Sequence, residues 1–129
     1  MVEHAENVAA RVVVDAAYKI HKTWGPGLLE SAYSAALEAE LRKRGHQVDR
    51  QPRIPVMWEG VEIADPFRAD FIVDRCLIVE LKSVERTAPV HAKQVLTYLK
   101  LSRLRLGLLI NFGAETLRDG TRRIANGMP

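Results

Sequence analysis

Residues 67–84, FRADFIVDRCLIVELKSV, are the stretch around which this 129-residue chain is organised. They predict two apolar β-strands that carry one acid, Asp70, and then an acid and an amine in the spacing Glu80-x-Lys82. Side chains of a strand alternate between two faces. One face of the second strand is wholly apolar and consists of Leu77, Val79 and Leu81. The other face carries the charges and consists of Cys76, Ile78, Glu80 and Lys82. Buried charges cost several kcal/mol unless they are paired or bind a metal, so this strand indicates a functional site.

Size and composition indicate an ordinary soluble globular protein, and we expect a single domain over residues 1–129. The net charge of +3 allows a polyanionic partner without requiring one. One cysteine excludes a disulfide framework and gives no zinc-ligand spacing. The N-terminus lacks the apolar region of a signal peptide, and the longest apolar run is too short to span a membrane. We therefore expect a cytoplasmic protein with no membrane partner.

Hydrophobic periodicity predicts the element order ααββββαβ followed by a small hairpin, which indicates a mixed α/β domain. Helices are predicted over residues 3–22, 28–43 and 87–101, the last with Thr87 at or near its cap. Between the second and third helices, residues 47–58 predict an edge strand that two prolines interrupt, and Glu59-Gly60 predicts a turn into a short strand. An apolar strand over residues 105–112 precedes the small hairpin, which is predicted to turn at Asp119-Gly120.

The length of the turn after Val73 decides whether two acids meet. A two-residue turn would place Asp70 and Glu80 on opposite faces, whereas a loop of residues 74–76 sets them directly opposite each other, with Cβ atoms about 5 Å apart. Two carboxylates this close repel each other. A hard divalent cation such as Mg²⁺ or Mn²⁺ reverses the sign of that interaction, because such ions prefer oxygen ligands. We predict the three-residue loop, or a bulge that has the same effect, and a metal site with Lys82 beside it.

Two helices can bring further polar side chains to this pair of acids. Glu30 and Tyr33 share one face of the second helix. Gln94 and Tyr98 share one face of the third, with His91 three residues before Gln94. Each of these residues also fits an ordinary role. Glu30 would stabilise a helix N-terminus, the two tyrosines would pack with satisfied hydroxyl groups, and His91 would lie on a helix surface.

Several of these residues carry a resemblance to a known family. Residues 27–33, GLLESAY, match the signature that gives the GxxExxY family its name. The segments that resemble the same family extend over nearly the whole chain: RADFIVDRCLIVELKSV (68–84), HAKQVLTYLKLSRLRLGLLINFG (91–113) and LRDGTRRIAN (117–126). That family resembles the PD-(D/E)XK nuclease superfamily. The resemblance implies a single-domain α/β core like that of restriction endonucleases, in which helices flank a central mixed sheet.

The resemblance implies a metal-dependent phosphodiester hydrolase that acts on DNA or RNA, with DNA preferred. The implied ligands of one or two Mg²⁺ or Mn²⁺ ions are Asp70, Glu80, the Leu81 carbonyl and Glu30, the last directly or through water. Lys82 would orient the nucleophile or screen the developing charge. Residues 94–98, QVLTY, are similar to the QxxxY motif of RecB-like nucleases, so Gln94 and Tyr98 would position the metal shell or the phosphate. Ala69 stands where the motif often has proline.

Two other functions stay open at this stage. The chain could be a catalytically silent binding or assembly module that keeps the nuclease fold, for example as a homodimer. It could also be a phosphohydrolase of small substrates, because no recognition domain is apparent. The basic residues could bind phosphates or form solvated surface: Arg42, Lys43, Arg44, Arg50, Arg53, Arg103, Arg105, Arg122 and Arg123.

Overall fold

The computed structural model describes residues 3–128, apart from the side chains of residues 64–66, so the predicted domain ends at residues 1, 2 and 129 lie outside it. The helices are α1 (Ala5–Trp24), α2 (Glu30–Lys43), α3 (Pro89–Ser102) and the short α4 (Leu117–Gly120). The strands are β1 (Val48–Arg50), β2 (Arg53–Trp58), β3 (Val61–Arg68), β4 (Phe71–Val73), β5 (Leu77–Lys82), β6 (Leu106–Asn111) and β7 (Thr121–Ala125). The three predicted helices are confirmed to within two residues at each end. No helix among residues 3–128 is long and apolar enough to cross a membrane.

A mixed five-stranded sheet forms the centre of the molecule, in the order β1-β4-β5-β6-β7. Strands β5 and β6 pair in parallel, and the other neighbours pair antiparallel. Almost every residue of β5 and β6 is buried, which explains why both strands are nearly continuous apolar runs. The predicted α/β class with a central mixed sheet flanked by helices is therefore confirmed.

The two faces of the sheet belong to two separate hydrophobic clusters. Leu77, Val79 and Leu81 pack with residues of α1 and α2 in one cluster. Ile78 packs with residues of α3 in the other. The predicted alternation along β5 is thus confirmed for these residues, but it is wrong for Cys76, which packs against the first cluster. The physical reason is that Cys76 lies in the loop before β5, where the chain has not yet entered the alternating geometry of the strand.

The predicted edge strand over residues 47–58 is two strands in different sheets. β1 pairs with β4 at the edge of the main sheet, and β2 pairs with β3 in a separate two-stranded sheet. The chain changes direction at Gln51, whose φ is 47°, directly before Pro52. The turn at Glu59-Gly60 is confirmed, with a positive φ at both residues. β3 is longer than predicted and takes up Phe67 and Arg68, which were assigned to the central hairpin.

The predicted small hairpin at Asp119-Gly120 is wrong. These residues lie in α4, which Thr116 caps by accepting a hydrogen bond at Oγ1 from the Asp119 N–H (3.2 Å). A Cβ atom at Gly120 would collide with the Asn111 carbonyl oxygen, so the helix is pressed closely against β6. The chain then enters β7, which pairs antiparallel with β6 and forms an edge of the main sheet.

Candidate active site

The pairing of β4 with β5 sets Asp70 beside Glu80. Val73 pairs with Leu77 and Phe71 with Val79, so residues 74–76 form the loop. The three-residue turn predicted from the sequence is confirmed. The two residues after Val73 both have positive φ values, 51° and 60°. The first of them, Asp74, is held there by the backbone N–H of Gln47, which donates to its Oδ1 (3.0 Å).

Each of the two carboxylates accepts a hydrogen bond from the backbone of the facing strand. The Asp70 N–H donates to Glu80 Oε1 (2.7 Å), and the Leu81 N–H donates to Asp70 Oδ2 (2.7 Å). Among residues 3–128, no other hydrogen bond reaches these carboxylates, and no fully buried side-chain oxygen or nitrogen lacks a partner. The second oxygen of each carboxylate therefore reaches solvent and is available to a ligand. Backbone donors fix both side chains before any ligand arrives.

Burial and mutual repulsion disfavour the charged forms of these acids. Glu80 is only 7% exposed, and burial, with a further contribution from the Asp70 charge, raises its pKa to about 8. Burial also raises the pKa of Asp70, against the opposing effects of the Leu81 N–H and of the Lys82 ammonium group. Burial and the Asp70 charge both favour the protonated form of Glu80 at neutral pH in the metal-free protein. A nearby cation would favour loss of that proton.

Glu30 is the first residue of α2 and lies within the electrostatic field of the same acids. Partial burial raises the pKa of Glu30, the Asp70 charge raises it further, and Lys82 opposes the change. The charge of Glu30 in turn contributes to the raised pKa of Glu80. The structure thus brings Glu30, Asp70, Glu80 and Lys82 together, although they come from three separate elements. Glu30 also occupies the first turn of α2, so its effect on the helix N-terminus is retained.

Tyr33 holds the loop that leads into Glu30. Its hydroxyl donates to the Gly25 carbonyl (2.5 Å) and accepts from the Leu28 N–H (3.2 Å). Its ring is fully buried and stacks on Phe112, with ring centroids 4.4 Å apart. The Ser83 hydroxyl, directly after Lys82, donates to the Leu28 carbonyl (2.6 Å). The predicted packing role with a satisfied hydroxyl is confirmed, and these contacts join the loop to the end of β5.

Three candidate residues lie on α3, and one of them, Tyr98, lies near the acids. Tyr98 is buried, and the charges of Glu80 and Asp70 add to burial in raising its pKa. Gln94 lies one turn earlier on the same helix and is exposed, and its side chain takes part in no hydrogen bond among the described residues. The Nδ1 atom of His91 accepts from the Ala88 N–H (3.0 Å) and so caps the first turn of α3. This contact gives His91 a structural role.

Asn111 is a positioning residue that the sequence analysis missed. It is buried at the end of β6, opposite Lys82 in the parallel register. Its side-chain amide donates to the Val84 carbonyl (2.9 Å), and its Oδ1 accepts from the Val84 and Gly113 N–H groups (3.0 Å each). These bonds fix the path of the chain directly after Lys82. The available signal was a polar residue at the end of an otherwise apolar strand, LGLLIN.

Most of the basic residues proposed to bind phosphates have other partners. Five of them form ion pairs: Arg42 and Arg50 with Glu38, Arg44 with Asp15 and Glu40, Arg53 with Glu62, and Arg105 with Glu6. These contacts favour the alternative that such residues form solvated, paired surface. A large groove between α1 and the α4–β7 segment, with a volume of about 1200 Å³, has none of the four site residues in its lining.

The donor atoms at the acid pair suit a hard cation that keeps part of its water shell. Within residues 3–128, no group of three or more His, Cys, Asp or Glu side chains is arranged to enclose a metal ion. Mg²⁺ does not require such a group, because it usually keeps several waters and binds through one or two carboxylates. The N–H and C=O of a strand residue point the same way, so the Leu81 carbonyl faces Asp70. The site therefore offers two carboxylate oxygens and one carbonyl oxygen, which are the kind of ligand that Mg²⁺ and Mn²⁺ prefer.

Comparison with known proteins gives one match. A family model described as the PD-(D/E)XK nuclease superfamily matches residues 7–124, a segment that contains every candidate site residue. Neither the curated proteins nor the solved structures compared with this chain include a significant match.

Proposed function

This chain belongs to the PD-(D/E)XK nuclease superfamily, and we propose that it is a metal-dependent nuclease that hydrolyses phosphodiester bonds, with DNA preferred over RNA. The observation that carries the proposal is the pairing of Asp70 with Glu80 across the β4–β5 hairpin. Glu80 is buried and Asp70 half-buried beside it, each is oriented by a backbone N–H, and each has one oxygen that reaches solvent. Lys82 supplies a positive charge beside them. Such a set of charges lowers the stability of the folded protein, and binding of a cation and a phosphate would account for its presence.

We propose Mg²⁺ as the ion, with Mn²⁺ as a substitute. Asp70, Glu80 and the Leu81 carbonyl would hold it directly, and Glu30 would act through water, because the acids do not form a closed three-acid group. A bound ion of this kind lowers the pKa of its water and stabilises charge on phosphoryl oxygens. The chain's own contribution is to hold the acids ionised around it. Glu80 would release its proton when the ion binds, since its pKa is about 8 in the metal-free protein.

We assign catalytic roles to Lys82 and Gln94 on the substrate side of this site. The Lys82 ammonium group would orient the attacking water or stabilise negative charge on the phosphate. Gln94 is exposed and lies one turn from Tyr98, whose hydroxyl is within the field of both acids. Its free amide would contact the phosphate or a water near it. Tyr98 would support the site by packing. His91 has no assigned role beyond the helix cap.

The residues of the GxxExxY signature support membership of that subfamily by their physical roles. Gly27 has a φ of 138°, which side chains other than glycine rarely tolerate. The charge of Asp70 acts on Glu30, and the Tyr33 hydroxyl fixes the loop that precedes Glu30. Three spaced residues of one motif thus build one side of the site. We also propose that residues 1–129 form a single nuclease-like domain.

The direct test is cleavage of fluorescently labelled single-stranded and double-stranded DNA and RNA in the presence of Mn²⁺. We expect wild-type protein to cleave at least one of the four substrates, and Glu80→Gln and Lys82→Ala to lose that activity. Glu85→Gln is the matched control, because Glu85 is an exposed acid three residues after Lys82. It should cleave like wild type. Cleavage by Glu80→Gln at the wild-type rate would refute the assignment. Folded wild-type protein that cleaves none of the substrates would favour the silent binding module.

A further inference from the structure

A partly exposed aromatic residue lies on the β3 side of the acid pair. Phe67 is at the end of β3, three residues before Asp70, and is 41% exposed. Its ring packs against Tyr98 with the centroids 5.4 Å apart. The Tyr98 hydroxyl lies within the field of Glu80 and Asp70. The contact with Tyr98 therefore fixes Phe67 next to the acids, while part of its ring remains open to solvent.

A second apolar group lies next to Glu30. Leu29 directly precedes that acid and is 78% exposed. It occupies the N-cap of α2 without forming a side-chain cap, whereas Ser, Thr, Asp and Asn are the residues that stabilise this position. The neighbouring Leu28 is tied to Ser83, so the loop lies beside the end of β5. The apolar side chain of Leu29 is therefore accessible to a bound molecule.

Free cations near the acids are few in the part of the chain that the structure describes. Besides Lys82, the exposed residues Arg68, Arg86 and Lys93 flank the site residues in sequence, and Arg68 donates to the Gln51 carbonyl. Five other arginines are engaged in ion pairs: Arg42, Arg44, Arg50, Arg53 and Arg105. A duplex presents mainly phosphates, and proteins that bind it rely on many cationic contacts. Unpaired nucleotides also present the flat faces of their bases, which stack on aromatic side chains.

We propose that this site takes single-stranded nucleic acid, with one unpaired base stacked on Phe67 and the neighbouring nucleotide packed against Leu29. This inference rests on the proposed nuclease function and names its substrate class. A strand end, a loop or an overhang meets the requirement, because its bases are not hidden in a duplex stack. Phe67 and Leu29 are then substrate-binding residues that determine specificity, and the phosphate that is cleaved would lie between them, at the cation that the acids would hold.

Binding can be measured apart from cleavage in the Glu80→Gln background, without divalent metal, by fluorescence anisotropy. The probes are a labelled 20-nucleotide single strand and a duplex of the same sequence. We expect the single strand to bind more tightly than the duplex. Phe67→Ala should weaken single-strand binding about 5- to 150-fold, the range expected from loss of one stacked base. Phe67→Tyr should retain binding. Trp58→Ala is the matched control, because Trp58 is 67% exposed at the far end of the same hairpin; it should bind like the parent.

Phe67→Leu keeps an apolar side chain against Tyr98 but removes the aromatic face, so it separates stacking from folding. Weak binding by folded Phe67→Leu supports the proposal, whereas parental affinity overturns it. Preference for the duplex, or an equal loss in Trp58→Ala, also overturns it. If wild-type protein cleaves nucleic acid in Mn²⁺ but Phe67→Ala leaves single-strand binding and cleavage unchanged, the substrate inference fails and the nuclease function stands. If the protein neither binds nor cleaves any nucleic acid, both fail.

Discussion

Replacing Glu80 by glutamine should stabilise the metal-free protein, increasingly so as the pH rises. The pKa of Glu80 is raised from 4.5 to about 8 by burial first and by the charge of Asp70 second. An acid with a raised pKa binds more protons in the folded state than in the unfolded state. Its contribution is therefore complete below pH 4.5 and is lost as the pH rises through about 8. Glutamine does not titrate, and its side-chain carbonyl can still accept from the Asp70 N–H.

The gap between the two pKa values corresponds to about 5 kcal/mol at most, at 1.36 kcal/mol for each pH unit. Between pH 5.5 and 7.5, about 2–3 kcal/mol of the free energy of unfolding should be lost in wild type relative to Glu80→Gln. The assay is urea unfolding of both proteins at these two pH values in the presence of EDTA. Taking the difference between the proteins removes the contributions of titrating groups far from Glu80, whereas Asp70 and Glu30 are coupled to Glu80 and remain part of the effect.

Mn²⁺ should restore the stability that wild type loses relative to Glu80→Gln. At a concentration 100 times its Kd, the ion raises the free energy of unfolding by about 2.7 kcal/mol, because it binds only the folded state. Glu80→Gln lacks one of the two carboxylate ligands and should gain much less. Two results would refute the reasoning: a stability difference between the proteins that is the same at both pH values, or equal stabilisation of both by Mn²⁺.

Three further substitutions test other parts of the site. Lys82→Ala should lower the single-turnover cleavage rate about 10²- to 10³-fold, typical for loss of one electrostatic contact to a transition state; a rate unchanged from wild type would remove Lys82 from the mechanism. Tyr33→Phe loses the hydroxyl bonds to Gly25 and Leu28 and should lower the free energy of unfolding in urea by about 1–3 kcal/mol; wild-type stability would contradict this role. Asn111→Ala leaves three backbone groups without their partner and should cost about 3 kcal/mol. A smaller loss than for Tyr33→Phe would show that Asn111 does not hold the end of β5.

The centre of the site was predictable because it depends on two local properties of the chain. Strand alternation assigns Glu80 to a face, and the number of residues in the loop assigns Asp70 to the same face. A shift in register by one residue is disfavoured, because it would turn Glu80 toward the apolar cluster that Val79 and Leu81 form with α1 and α2. The same locality explains why the helix bounds were predicted closely. The proposed metal, substrate and chemistry rest on the resemblance and on the pairing of the two acids together, and neither strand alternation nor loop length alone predicts them.

The parts that were mispredicted depend on contacts between segments distant in sequence. β2 leaves the main sheet because Gln51 adopts a positive φ and α3 then packs against this strand. Hydrophobic periodicity predicts neither of these two features. Asp119-Gly120 reads as a hairpin turn in isolation, but Thr116 and the close approach to Asn111 favour a helical turn. The role of Asn111 depends on Val84, which is 27 residues away. Local patterns carry no information on such pairs.

The energetics of β5 connect its fold with its proposed function. Glu80 occupies a position between Val79 and Leu81, both fully buried, where an apolar residue would stabilise the sheet more. The repulsion with Asp70 is not relieved by moving the side chains apart, because each carboxylate is held by the backbone of the opposite strand. Relief must therefore come from a proton or from a cation. A proton suffices for folding at neutral pH, but only a cation leaves both acids ionised, so the strength of metal binding and the instability of the metal-free ionised site have the same physical origin.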